Sequence, residues 1–387
     1  MPTPPYYAPF HEETSTAAAR RDDFHLKLRK VRELLVQRQA EAAVFGLAHN
    51  FAWLTGGGRN HIPISTDGGV GAIYVDSRRA VLITNNIEGH RLLHEELTGL
   101  DLELAEEPWH TAKSYQAAAA SLATHNGIVL HDTDGAFDAA LVPLRLALTP
   151  YDVQRYRDLG RDCAAVLAQV GPTLRPAMTE WAIGAAITQL CVARGIDVTV
   201  LLIATDDRID AIRHPLPTTK KLQSKAMLVL CGRRGGLIAS LTRIVYVGQA
   251  IPDDLRRRHD AVSFVDASAL AATKPGATSG DVFRAIQAAY ASKGFANEWT
   301  LHHQGGSAGY KGREWKATPD SNEPIDGNMA FAWNPSIAGT KSEDTVLLHE
   351  NGEIEVLTQG EAGAWPLVHH TIGGKTYARP DILHLKL

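Results

Sequence analysis

His214 in Ile212-Arg213-His214-Pro215, the adjacent pair His302 and His303, and Glu343 in Ser342-Glu343-Asp344 are the side chains of this 387-residue chain best placed by type to move protons. Imidazole titrates close to neutrality, so a histidine can take a proton from water and return it to a leaving nitrogen. Near them in sequence stand groups able to hold charge or donate hydrogen bonds: Ser240, Arg243, Arg313, Glu314 and Asn334. Such a set can supply a base, an acid and donors for a developing oxyanion. His214, His302, His303 and Glu343 are therefore the catalytic candidates, and Ser240, Arg243, Arg313, Glu314 and Asn334 the substrate-binding ones. Each has a plainer reading. His214 suits a hydrogen-bonded loop, and strand alternation would turn only one of His302 and His303 into a cleft. Glu343 either holds a substrate cation or pairs with Arg313 or Arg243, and the arginines fit a buried ion-pair network as well as a carboxylate.

Two other patterns carry less. His90 and His94 in His-Arg-Leu-Leu-His stand four apart on one helical face, but no third metal ligand accompanies them, and a solvated helix is the better reading. Gly305-Gly306-Ser307-Ala308-Gly309 matches Gly-x-Ser-x-Gly, with Asp344 and His369 following in serine-hydrolase order. That elbow needs a helix directly after the serine, and the sequence there, YKGREWKATPD, supplies Gly and Pro instead.

The elements that must position these groups can be read from periodicity. Residues 24–40 have helical spacing and lead into the apolar strand AAVFGL. After FAWLT and Gly56-Gly57-Gly58 come strand candidates VGAIYV and AVLIT, then a helix near HRLLHEEL. Thr149-Pro150-Tyr151-Asp152 has a capping threonine, a proline at the first helical position and an acid three after the cap, so a helix is expected over about 150–170. Division follows at that point: an arm over 1–23, a small α/β domain over 24–148 and a second domain over 149–387. Within the second domain, residues 174–195 superpose on 273–294 at a constant offset of 99, pairing Pro176 with Pro275, Thr179 with Thr278 and Gly195 with Gly294. A repeat of this kind points to a pseudo-twofold around a shared antiparallel sheet.

In their order, the stretches IRHP, LTR, LHHQGGSAGYKGREW and FAWNPSIAGTKSED resemble the creatinase/aminopeptidase family, whose pita-bread fold is shared by methionine aminopeptidases, prolidases and creatinase. The stretch NFAWLTG extends the resemblance to the amino-terminal domain of prolidases and creatinase. It implies an α/β (α+β) protein, with a small creatinase-type amino-terminal domain, a pseudo-twofold pita-bread domain and a homodimeric state. The family's metallopeptidases hold two metal ions through five side chains. Aligned on them, the first aspartate becomes Leu230 or Val229, the second Ser240, the histidine of Gly-His-Gly-x-Gly becomes Gly306, the glutamate of Glu-Pro becomes Asn334, and only Glu343 remains. Sliding the glycine motif by three would put the histidine on His303 and leave the other losses unchanged. Two divalent ions about 3.5 Å apart repel by roughly 20 kcal/mol at an effective dielectric near 20, which one glutamate cannot offset.

The expectation is a metal-independent, creatinase-like hydrolase of C–N bonds, with no metal and no other cofactor. A metallo Xaa-Pro dipeptidase or aminopeptidase and a non-catalytic small-molecule or peptide-binding relative are the alternatives. A net charge of −4 offers no basic field for nucleic acid, and no run of eighteen apolar residues offers a membrane span. The start of the chain lacks the pattern of a signal peptide, and three widely spaced cysteines make no disulfide framework, so a cytoplasmic setting is expected, with a small molecule such as an amino-acid derivative or dipeptide as partner.

Overall fold

A computed structural model describes residues 16–124 and 127–386, which leaves most of the expected arm outside the described residues. The first helix, Ala17–Gln37, starts earlier than periodicity alone indicates because Thr16 caps it, its Oγ1 accepting from Ala19 N at 3.1 Å. Two compact units divide the described residues: 16–155 with Arg234–Leu237, and Tyr156–Arg233 with the residues from Ile238 onward. In the first, five strands run in the order Glu103–Glu107, Ala80–Asn85, Gly68–Asp76, Ala42–Leu47 and Val129–His131. The expected helix after them forms as Pro150–Val170, and Thr149 and Asp152 close a reciprocal cap, with Asp152 N donating to Thr149 Oγ1 at 3.2 Å. Its first turn belongs to the first unit, where buried Asp152 takes Lys27 Nζ at 2.8 Å.

The repeat organises the second unit. Helices Glu180–Val192 and Ser279–Ser292 follow Thr179 and Thr278, each of which caps its helix through the side-chain oxygen. Gly195 and Gly294 follow at φ of 65° and 81°, the left-handed geometry that ends a helix. Each half contributes a four-stranded sheet. One runs Leu383–Leu385, Leu237–Val247, Lys225–Arg234, Asp197–Thr205; the other runs Ile354–Val356, Asp344–Leu348, Met329–Trp333, Gly305–Ala308. The sheets join along a seam where Thr242 N donates to Glu343 O at 3.0 Å and Ser240 N to Thr345 Oγ1 at 2.7 Å. This seam delivers residues from both halves to one place. The architecture is the mixed α/β, pseudo-twofold arrangement of the pita-bread fold.

Behind the seam lies a buried charge network. Arg379 bridges Asp266 at 2.8 Å and Asp344 at 2.7 Å, and Arg243 donates to Asp344 at 2.9 Å and to Thr358 O at 2.7 Å. The alternating signs compensate each other within the interior, which is the condition for burying them at all. Among the described residues no helix is long and apolar enough to cross a membrane.

Candidate active site

A cavity of about 630 Å³ opens at the seam, with His214, His303, Arg313, Asn334, Ser240 and Glu343 among its lining residues. The hairpin 225–247 forms one wall. Alternation along its first strand turns Val229 and Cys231 toward the cavity and Leu230 away into the core, so Val229 is the residue that faces it where the resemblance expects the first aspartate. On the second strand Ser240 faces the same space and its hydroxyl meets Cys231 Sγ at 3.2 Å.

His214 reaches the site on a loop that is tied at several points. Glu180, fully buried in the first turn of its helix, accepts from Thr205 N, from Thr218 N and Oγ1, and from Arg208, which fixes both ends of the loop. Arg213 donates to Glu298 at 2.6 Å and to Ser336 Oγ at 3.2 Å. Glu298 opens the short turn Glu298–Leu301 that precedes the two other histidines, so one ion pair links the carriers of all three rings. His302 and His303 do not lie on a strand, as the next one starts at Gly305; strand alternation therefore does not separate them. Their rings stack with centroids 4.4 Å apart, and His302 Nε2 hydrogen-bonds His214 Nε2 at 2.9 Å.

Electrostatics keep these rings neutral. Burial pushes His302 down to about 3, helped by Lys341, and pushes His303 down to about 4, helped by Arg313 and Lys316. His214 is also lowered, by burial and then Lys341, while Glu343 pulls the other way. A base with a pKa of about 3 accepts protons poorly, so His214, the exposed member, is the stronger candidate base and His302 its hydrogen-bonded partner.

Glu343 corrects an expectation. Its Oε2 takes Lys341 Nζ at 2.7 Å and the Thr242 hydroxyl at 2.8 Å, and its Oε1 takes Arg313 Nη2 at 3.2 Å. Burial alone would raise this carboxyl, but Lys341 and Arg313 outweigh it and hold it at about 2. Two cations already share the charge, so Glu343 is not free to receive a substrate ammonium or to carry protons near neutral pH. Arg243, expected to bind substrate, does not line the cavity; its donors go to Thr242 O, Asp344 and Thr358 O in the buried network. Glu314 does not line it either, and stands 3.9 Å from Lys311. Lys341 and Lys316 do line it and were missed, as were the anchors Arg213 and Glu298. A signal for Lys341 existed: two residues before Glu343 in an extended chain, it shares that side chain's face.

The elbow expected of a serine hydrolase is absent at Ser307, which is buried in the strand Gly305–Ala308 and accepts from Trp315 N at 3.3 Å. His369 lies on Leu367–Ile372, and Asp344 is committed to Arg243 and Arg379.

The donor set does not fit a pair of divalent ions. A side chain at Gly306 would start 2.0 Å from Trp315 O, so a histidine has no room there, and Val229 and Ser240 supply no carboxylate. Asn334 is a neutral amide, and Glu343 is occupied by Lys341 and Arg313. Among the described residues, one group could hold a single ion: His214, His302 and His303, with ligand atoms within 4.8 Å of one another. Nearby Lys341, Lys316 and Arg313 oppose a cation there, and the buried Nδ1 atoms of His302 and His303 lack the hydrogen-bond partners that usually orient metal-bound imidazoles.

Comparisons with known proteins agree on the ancestry. The agropine synthesis cyclase of Rhizobium rhizogenes is 31% identical over 160 residues, which is 39% of this chain and 40% of that protein's length. The Xaa-Pro dipeptidase of Bacillus anthracis superposes with a TM-score of 0.69 at 15% identity, covering 94% of this chain and all of that one. A prolidase of Thermococcus sibiricus gives 0.72 at 16% identity, covering 88% and 98%. Residues 154–350 match metallopeptidase family M24 and contain the His214 loop, the histidine pair, Arg313 and Glu343. With more than half its length matched and the fold shared, the chain belongs to metallopeptidase family M24.

Proposed function

We propose that this member of the family is a metal-independent hydrolase of a C–N bond in a small molecule bearing a carboxylate. The observation that carries the reading is the neutral His214–His302 pair, 2.9 Å apart, beside a cavity whose other charged groups are mainly cationic. In the forward step His214 takes a proton from water as the water oxygen attacks the substrate carbonyl carbon. The resulting oxyanion is stabilised by the amide of Asn334, which lines the cavity. Collapse breaks the C–N bond, and the proton held by His214 passes to the leaving nitrogen, giving an acid and an amine. His302 supports this by hydrogen-bonding the ring nitrogen of His214 and by favouring its return to the neutral state.

A second reading has its own support in the 31% identity to a cyclase. The same base could deprotonate a nucleophile within the substrate, so that the attack closes a ring instead of consuming water. One experiment separates these readings and the metal-dependent one. Protein purified without added metal is assayed against small amides in ¹⁸O-labelled water, with and without chelator. We expect turnover insensitive to chelator, with one labelled oxygen in the acid product. Unlabelled cyclic product supports ring closure. A tightly held pair of metal ions with chelator-sensitive cleavage of Xaa-Pro dipeptides overturns metal independence, and a ligand bound without any turnover supports a binding protein.

A further inference from the structure

The cavity carries more positive charge than it neutralises. Three cationic side chains line it, Arg313, Lys316 and Lys341, against the single carboxylate of Glu343. Lys341 is fully engaged by that carboxylate at 2.7 Å. Arg313 is only partly engaged: Nη2 meets Glu343, Nη1 meets Gly312 O, and the buried Nε has no acceptor. Lys316 forms no ion pair with any carboxylate among the described residues, although it is close enough to depress His303. The histidines add no charge near neutral pH, for the reasons given above. Two positive charges therefore remain uncompensated at the cavity, one on the largely buried Arg313 and one on the exposed Lys316.

Other orphaned groups mark the same place. Among the described residues eight buried side-chain atoms lack a hydrogen-bond partner, and five of them belong to His302, His303, Arg313, Trp315 and Asn334, on or beside the cavity wall, so the unmet polar demand is concentrated at this site. The opposite wall is apolar, formed by Val200, Leu202, Val229 and Ile238. Nothing lining the cavity offers an uncommitted carboxylate to an ammonium group.

We infer that the preferred substrate is a small dicarboxylate whose scissile nitrogen is an uncharged amide: its two carboxylates meet the surplus charge at Arg313 and Lys316, and its short carbon chain lies on the apolar wall. This rests on the hydrolase reading for the word substrate, but the recognition it describes stands on charge and shape alone. Free dipeptides and guanidinium compounds, which bring a cationic group, are disfavoured by the same arrangement.

Calorimetric titration of the full chain with glutarate, a five-carbon dicarboxylate, tests it against butyrate and against 1,5-diaminopentane. We expect glutarate to bind at least tenfold more tightly than butyrate, with affinity falling as salt rises, and the diamine not to bind. Lys316 is exposed and unpaired, so Lys316→Gln should leave the melting temperature almost unchanged while weakening glutarate at least tenfold, and Lys316→Arg should restore it. Equal binding of glutarate and butyrate, binding of the diamine, or indifference to Lys316→Gln overturns the inference. Glutarate binding without turnover of any amide sinks the hydrolase reading and leaves this one standing; turnover of cationic substrates without glutarate binding does the reverse.

Discussion

At the scale of single residues, Glu343 shows how a retained position can change its work. The resemblance keeps a glutamate where a metal ligand belongs, yet Lys341 and Arg313 now take the place of cationic partners at 2.7 and 3.2 Å. The carboxylate has become the counter-ion of the cavity's own cations. Removing its charge would leave two buried cations facing each other, and breaking a buried pair in this way costs roughly 3–5 kcal/mol. Glu343→Gln should therefore lower the urea midpoint strongly at neutral pH, where a residue whose only task was to bind substrate would change affinity and leave stability nearly intact. An unchanged midpoint would show that the pair is worth little. The same accounting explains why types alone misdirect at this site: Arg243 and Arg313 look equivalent in sequence, and only the fold reveals that Asp344 and Thr358 O claim the first while the second keeps an unsatisfied Nε.

At the scale of elements, the histidines are assembled by segments far apart in sequence. The capping Thr149, the strand Ala42–Leu47 and the helix over 150–170 were legible because each depends on local spacing and local caps. The repeat at offset 99 was legible for the same reason, since Pro, Thr and Gly mark helix ends whatever lies around them. His214, His302 and His303 could be singled out by type, but their meeting depends on Arg213 and Glu298, 85 residues apart, and no periodicity announces such a pair. This leads to a test of positioning. Neither side chain lines the cavity, so Arg213→Gln should act through His214. It should reduce kcat by about tenfold or more with little change in KM, and shift the lower limb of the pH–rate profile as the His214–His302 contact loosens. Arg213→Lys, able to reach Glu298, should recover much of the loss. If His214→Ala and the double variant His214→Ala/Arg213→Gln differ as much as Arg213→Gln and the parent do, the two residues act independently and the positioning role fails.

At the scale of the whole molecule, the fold carries buried groups whose protonation opposes the native state. His302 and His303 titrate at about 3 and about 4 in the folded protein, and burial also lowers His214, His259 and His370. In the unfolded chain these imidazoles return to the usual histidine value near 6.5. Between that value and the folded one the unfolded chain binds more protons, so stability rises with pH across the window and is lost as pH falls through it. Glu343, held at about 2, extends the loss below the usual carboxylate range, where protonation of its partner-bound form comes last. Asp266 works in the opposite direction, because burial raises its carboxyl. Five lowered imidazoles oppose that one carboxyl, so the net dependence follows the imidazoles. Denaturant midpoints measured at pH 7.5, 6 and 5 should therefore decline, by about 1 kcal/mol or more between pH 6.5 and 5 after allowing for the partial exposure of His302 and His303. A His302→Gln/His303→Gln variant should show a flatter curve over the same range. A midpoint that stays constant from pH 7.5 to 5 would mean that the rings can accept protons without cost, and the neutral pair on which the base assignment depends would lose its physical ground.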